Sequence, residues 1–193
     1  MTESAVGGPP PRQVVIISGP PASGKTTIAR PLAAELGFAL IAKDQIKEIL
    51  HDALGREPDL TWSRQLGAAA MELLWALAAQ APSVVLEANF WTGDERARAG
   101  LGSLGATPVE VHCACPVEVC MRRYSARMPG RHPVHVDGHA ARDTREVFDR
   151  CAQPFGLGPV INVDTTRPVA IGTLAVQVRR LLPAAEECAD LLL

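Results

Sequence analysis

Lysine is nearly missing from this chain. Of the 19 Lys and Arg among 193 residues, only Lys25, Lys43 and Lys47 are lysines, all within one short stretch. Aromatic residues are scarce too, at 4%, which points to a core of small and aliphatic side chains. No run reaches the roughly 18 apolar residues of a membrane helix, and the nearest approach, residues 66–79, is interrupted by Glu72. A large excess of either charge is lacking as well. A net charge of −2 with 47% hydrophobic residues excludes a disordered chain and leaves no broad basic stripe for a nucleic acid. Five cysteines, an odd number without framework spacing, suit reduced thiols and a cytoplasmic setting. His112, Cys113 and Cys115 lie together, but zinc sites usually space their cysteines by two residues, so thiols ending a buried strand are the preferred reading.

The length suffices for one compact domain with a sizeable core. Residues 1–12 are rich in Gly and Pro and lack the basic and apolar regions of a signal peptide, so they read as a flexible leader. The domain is expected over 13–182, with a C-terminal tail at 183–193.

Short β-branched runs alternate with amphipathic stretches. Strands are expected at 14–18, 39–42, 84–88, 107–113 and 160–163. Helices are expected at about 25–36, 44–54, 63–81, from a capping box at Thr92–Glu95, and at 116–127, 140–151 and 168–182. Residues 128–138, with two Pro and two Gly, should be irregular. The order βαβααβαβααβα implies an α/β fold, a parallel sheet between two helical layers, with ligands at the C-terminal strand ends.

Directly after the first strand stands Gly19-Pro-Pro-Ala-Ser-Gly24-Lys25-Thr26, a full match to the phosphate-loop pattern G-x-x-x-x-G-K-[ST]. Gly19 and Gly24 let the backbone curl so that amides converge on phosphate oxygens. Pro20 and Pro21 have no N–H, which leaves the cradle to the amides of Ala22, Ser23, Gly24, Lys25, Thr26 and Thr27 at a helix N-terminus. Lys25 is expected to reach the β- and γ-phosphates of ATP and Thr26 to hold Mg²⁺. The second strand is followed by Lys43-Asp44-Gln45-Ile46-Lys47. A kinase needs a carboxylate near the acceptor hydroxyl, and Asp44 is expected there, a role compatible with capping the next helix. Lys47 either binds an anionic or polar acceptor or pairs with an acid such as Glu48.

These motifs resemble the P-loop kinase group that includes polynucleotide 5′-hydroxyl kinase, chloramphenicol phosphotransferase and zeta-toxin-like kinases. The resemblance spans about residues 13–182 and rests on the phosphate loop, the acid after strand two and an Arg-bearing lid. It implies a five-stranded parallel sheet ordered 2-3-1-4-5, with a short lid at about 127–139. It implies that Asp44 is the general base and that Lys47 touches substrate. Gln45 stands where the polynucleotide kinase has a second Asp, which argues against a nucleic-acid end as acceptor. Glu87-Ala88-Asn89-Phe90 resembles the group's Asp-Thr-Asn-Leu, implying that Glu87 acts through water on Mg²⁺ and that Asn89 lines the acceptor site. Phe90 and Trp91 form either an apolar acceptor wall or ordinary core. Thr165, after the last strand, is implied to pack near adenine.

Seven Arg (122, 123, 127, 131, 142, 145 and 150) face four acids within 29 residues. An Arg-rich lid can neutralise charge on a transferring phosphoryl group and exclude water. The resemblance picks Arg127 as the catalytic Arg, Arg131 as a substrate contact and Arg123 as a nucleotide contact, while Arg142, Arg145 and Arg150 read as solvated helix positions. His132, His135 and His139 read as contacts to substrate or water rather than as a zinc set. The expected activity is transfer of the γ-phosphoryl of ATP, with Mg²⁺, to a hydroxyl of a small molecule such as an antibiotic, sugar or nucleoside. The alternatives are a polynucleotide 5′-hydroxyl kinase and a regulatory ATPase module. The expected partners are ATP and that acceptor, with no membrane or nucleic acid.

Overall fold

The computed structural model describes residues 11–136 and 141–183, with backbone alone for 141–144. The chain runs β1 (Gln13–Ser18), α1 (Lys25–Leu36), β2 (Ala39–Ala42), α2 (Lys43–Leu54), α3 (Leu60–Ala78), β3 (Ser83–Glu87), α4 (Glu95–Ser103), β4 (Val109–Ala114), α5 (Val117–Arg127), a 3₁₀ turn (Met128–Gly130), α6 (Ala141–Arg150), β5 (Val160–Asp164) and α7 (Ile171–Leu181). The five strands form one parallel sheet in the order β2-β3-β1-β4-β5, as the sequence implied. The leader (1–10), Asp137 to Ala140 with His139, the Arg142 side chain and residues 184–193 with Cys188 lie outside the described residues.

Successive residues of a strand face opposite sides, and β1 obeys this strictly. Val15 and Ile17 pack with Ile28 and Leu32 of α1 and Leu174 and Val178 of α7. Val14 and Ile16 pack on the other side with Leu74 of α3, Leu101 of α4, Phe90 and Phe155. Burial on both faces explains why β1 reads as an unbroken apolar run. The core is less purely aliphatic than the composition suggests, because Phe90, Phe148 and Phe155 are all fully buried.

Register positions the site. Ile17 of β1 and Ala42 of β2 both pair with Glu87 at the end of β3. The phosphate loop that follows β1 and the Lys43-Asp44 turn that follows β2 are therefore brought to either side of Glu87.

Several local expectations need correction. Helix α3 starts three residues before Ser63: Asp59 is its cap, accepting from the Trp62 amide at 2.7 Å, and Ser63 is buried in the first turn. Helix α4 is capped by Asp94, whose carboxylate accepts from the Ala97 amide, while the Thr92 hydroxyl donates to the Pro154 carbonyl. Asp44 does not cap α2; Ala42 holds that position and Asp44 lies inside the first turn, where a carboxylate favours the helix dipole. Residues 128–130, expected to be irregular, form the 3₁₀ turn. The residues α2 buries are polar: Lys47 faces a cavity rather than the core, and His51 is covered by Trp62 and His132.

Candidate active site

The phosphate loop is built by backbone strain that only certain residues accept. Gly19 and Gly24 have φ of +132° and +96°. A Cβ on Gly19 would meet Ser23 Oγ at 2.8 Å and the Cys113 carbonyl at 2.9 Å, so the tight turn excludes any side chain there. Ala22 also has a positive φ, +61°, a conformation uncommon outside glycine and found where surrounding structure enforces it. The Ser23 hydroxyl is buried in this loop without a hydrogen-bond partner among the described residues.

Lys25, the first residue of α1, is buried and folds back to donate to the carbonyls of Gly19 (2.9 Å) and Pro20 (2.8 Å). Burial lowers its pKa and the nearby Glu87 carboxylate opposes that shift. Thr26 Oγ1 donates to Glu87 Oε1 at 2.9 Å. Burial raises the pKa of Glu87, against the pull of Lys25 and Thr26. A small divalent cation with hard-oxygen preference takes one or two protein oxygens and completes its shell with water and phosphate. The adjacent Thr26 hydroxyl and Glu87 carboxylate fit that donor set. Among the described residues no three His, Cys, Asp or Glu side chains converge as a metal-ligand group.

A cavity of about 910 Å³ opens over this loop. It takes in Lys25, Thr26, Thr27, Asp44, Lys47, Glu87, Asn89, Arg127 and Arg131, so most residues singled out in the sequence meet in one space. A smaller cavity of about 350 Å³ adjoins it, between Ala22, Gly24 and Thr27 on one side and Arg123, Arg127 and Thr165 on the other. Arg123 donates to the Thr165 carbonyl at 3.1 Å, which ties α5 to the turn after β5. Arg127 lines both cavities, with its guanidinium 5.8 Å from the centre of the Tyr124 ring. Arg131 stacks on the same ring at 4.9 Å and donates to its hydroxyl at 2.6 Å.

Asp44 is half-exposed on the cavity wall, with its carboxylate 3.0 Å from Lys43 Nζ. Burial works to raise its pKa, but the charges of Lys43, His135 and Lys25 outweigh that and hold the carboxyl well below the ordinary carboxylate range. Such a group is ionised at every physiological pH and is a weak base. A carboxylate of this kind can orient a hydroxyl, and it can take a proton only late, where bond making to a phosphoryl group lags bond breaking.

Packing decides the other sequence readings: the Phe90 alternative falls to the core, while Arg145 and Arg150 are exposed helix positions and Cys113 is a buried strand thiol, as expected. Phe90 belongs to the core, 5.8 Å from the Phe155 ring and 6.2 Å from Trp75, and is no acceptor wall. Arg145 bonds Asp149 and Glu118, and Arg150 bonds Glu146 and stacks over Trp91. His112 is 2.9 Å from Ser18 Oγ and 3.2 Å from the Ala152 carbonyl, and burial pushes the Cys113 thiol up to about 12.

Three features escaped the sequence reading. His135 lies 2.7 Å from Glu48 and His132 lies 3.0 Å from Asp52, fastening the segment after the 3₁₀ turn onto α2. The signal was the spacing of Asp44, Glu48 and Asp52, one acid per helical turn on a single face. Ser63 accepts from Lys47 Nζ at 2.7 Å, joining α3 to α2. Glu110, fully buried on β4, accepts from Ser18 Oγ and from the amides of Phe155 (2.7 Å) and Gly156 (2.8 Å), linking the root of the phosphate loop to the return from α6.

A phosphate loop on a parallel sheet ordered 2-3-1-4-5, with a helical segment across the strand ends, is the architecture of the P-loop kinases. Residues 14–151 match the family model described as an AAA domain (AAA_33), and the chain belongs to that family. A candidate kinase from Chloroflexus aurantiacus J-10-fl is 32% identical, with a TM-score of 0.77, over 89% of this chain and 99% of that one. The fold is shared with an APS kinase of Mycobacterium tuberculosis in complex with AMPPNP and APS (20% identity, TM-score 0.57, 90% and 98% covered). It is also shared with shikimate kinase of Aquifex aeolicus (14%, 0.53, 87% and 94%). A curated cytidylate kinase of Ignicoccus hospitalis is 45% identical over 42 residues, so the chain matches 24% of that enzyme's length. Among the described residues no helix is long and apolar enough to cross a membrane.

Proposed function

We propose that this protein is an ATP- and Mg²⁺-dependent kinase that transfers the γ-phosphoryl group to a hydroxyl of a small molecule. The observation that carries this reading is the meeting of phosphate loop, Glu87 and Asp44 at three neighbouring strand ends around one cavity. A motor or switch needs water as acceptor, whereas this cavity extends past the loop to a wall of α2 and α3 large enough for a second reactant.

The loop amides from Ala22 to Thr27 bind the phosphates, and Lys25 exchanges its two carbonyl partners for phosphate oxygens. Thr26 and Glu87 would hold Mg²⁺, which neutralises phosphate charge when bound. Asp44 accepts a hydrogen bond from the acceptor hydroxyl and then its proton as the new O–P bond forms. Arg127 and Arg131 close over the site and offset charge on the transferring group. The smaller cavity, between the loop and Thr165, takes the base. Domain limits at 13–182 and a lid over about 127–139 belong to the same proposal, as does a cytoplasmic location.

The test is ATP turnover in Mg²⁺ with and without a pool of hydroxyl-bearing metabolites. Stimulation by the pool, lost in Lys25→Met, is the expected result. Turnover that no acceptor changes would make the protein a nucleotide-hydrolysing module instead.

A further inference from the structure

Lys43, the middle one of the three lysines, takes no part in the reading above, yet its surroundings are specific. It is the first residue of α2, and only 19% of its side chain is exposed. Neighbouring residues on a helix do not face each other. Lys43 nevertheless turns its ammonium onto the residue beside it, with Nζ donating to Asp44 Oδ1 at 3.0 Å. Across from it stands Gly67 of α3, where a Cβ would lie 3.8 Å from Lys43 Nζ. Gly67 is inside α3 and has no left-handed backbone, so no turn requires a glycine there, and alanine would favour the helix more. A side chain longer than alanine's would enter the space that Lys43 occupies. One turn earlier on α3, Ser63 meets Lys47 at 2.7 Å, so two small residues of α3 face two lysines of α2 along one seam.

This placement bears on Asp44. A carboxylate has two oxygens, and with Lys43 on Oδ1 the other is left for a hydroxyl in the cavity. A fully exposed ion pair contributes little, but this ammonium is mostly withdrawn from water, so the pair is less screened. Misplacing a reacting group by about 1 Å can cost about a hundredfold in rate. We infer that Lys43 is the positioning residue of the transfer step: it holds Asp44 by Oδ1 so that Oδ2 receives the acceptor hydroxyl, in a space that Gly67 keeps open, and this role rests on the kinase reading above. The same contact favours the ionised carboxyl. Burial acts to raise the Asp44 pKa and is outweighed by Lys43 first, then by His135 beyond the 3₁₀ turn and Lys25 of α1. Glu87, at the end of β3, repels Asp44. Arg30 of α1, Lys47 and Glu48 of α2 and Arg64 of α3 line the same cavity, as do Arg127, Arg131 and His132 on the lid side. All of these stay in place when Lys43 alone is replaced.

Two readouts test this. The first is carboxyl-carbon NMR, with the Asp44 resonance assigned by its loss in Asp44→Asn. In the wild type Asp44 does not titrate through the ordinary carboxylate range. In Lys43→Met its midpoint moves up into that range, and Lys43→Arg restores the wild-type behaviour. The second is kinetics with the acceptor drawn from a pool of hydroxyl-bearing metabolites. Lys43→Met lowers kcat by about 10- to 100-fold, leaves KM for ATP unchanged and gives kcat an acid limb that the wild type lacks. The gain in basicity does not compensate, because the proton moves late. Lys43→Arg recovers most of the loss. A titration that does not move overturns the assignment, and so does an unchanged kcat in a folded Lys43→Met protein. A loss confined to KM for the acceptor also overturns it and makes Lys43 a substrate contact. Each of these three results leaves the kinase reading standing. A pool that stimulates no turnover in the wild type removes the kinase reading, and the positioning role falls with it. Thermal melting shows which variants are folded, and Lys43→Gln takes the place of a Lys43→Met protein that is not.

Discussion

The two sides of the cavity are built by opposite means. The phosphate side is one contiguous segment, residues 19–27, whose conformation follows from its own glycines, its flanking strand and its helix. The acceptor side is assembled from α2, α3 and the 3₁₀ turn by contacts between residues far apart in sequence, such as His135 with Glu48 and His132 with Asp52. A loop that cradles an anion with its own backbone amides can be encoded locally. A site that must suit one acceptor is left to side chains whose neighbours are set by the fold.

That contrast predicts how each side fails. The largest effect is expected from Lys25→Met, which removes the buried ammonium of the phosphate loop: phosphoryl transfer falls by about a thousandfold while circular dichroism stays unchanged. Asp44→Asn lowers kcat by about a hundredfold and leaves nucleotide affinity as it was, because the carboxylate serves only the acceptor. Its depressed pKa adds a pH signature. A lowered carboxylate stays ionised as pH falls through the ordinary carboxylate range, so kcat shows no acid limb from Asp44 in that range.

Glu110→Gln tests the tie between the root of the phosphate loop and the return from α6. It replaces a carboxylate that accepts from Ser18 Oγ and two amides by a group with one acceptor oxygen. A loss of about 2 kcal/mol in urea unfolding is expected. The smallest effect concerns the fastening of the 132–135 segment. Burial holds the His135 pKa below 6.5 in spite of Glu48, so the unfolded chain binds a proton before the folded one does. Stability therefore rises with pH between the folded value and 6.5 and is lost as pH falls through that window, levelling off below it. In a series of thermal melts His135→Gln flattens part of this slope; His112, also lowered by burial, contributes with the same sign and keeps the remainder.

The same contrast explains what the sequence revealed. The alternating strands and helices and the phosphate loop were legible, since apolar runs and one dense motif carry them, while the strand order and the place of Glu87 beside the loop were implied by the resemblance to the P-loop kinases. Asp44 could be placed in the cavity because a strand end in a parallel sheet has one direction to face. The sequence places the start of α3 at residue 63 rather than 60 because Asp59 and Ser63 are both good caps four residues apart, and only the buried partner Lys47 distinguishes them. Phe90 was ambiguous for the reverse reason: three residues beyond a strand, burial depends on α3 and on the Phe155 loop, which lies 65 positions away.

The central claim is direct transfer between the two sides, from a nucleotide on the loop to a hydroxyl beside Asp44. Incubation with ATP isotopically labelled in the γ-phosphoryl oxygens, Mg²⁺ and a pool of hydroxyl-bearing metabolites tests it most directly. The account predicts the label in a phosphate monoester of a small molecule, formed by the wild-type protein and reduced about a hundredfold by Asp44→Asn. Label appearing only in inorganic phosphate, at the same rate in both proteins, would contradict it.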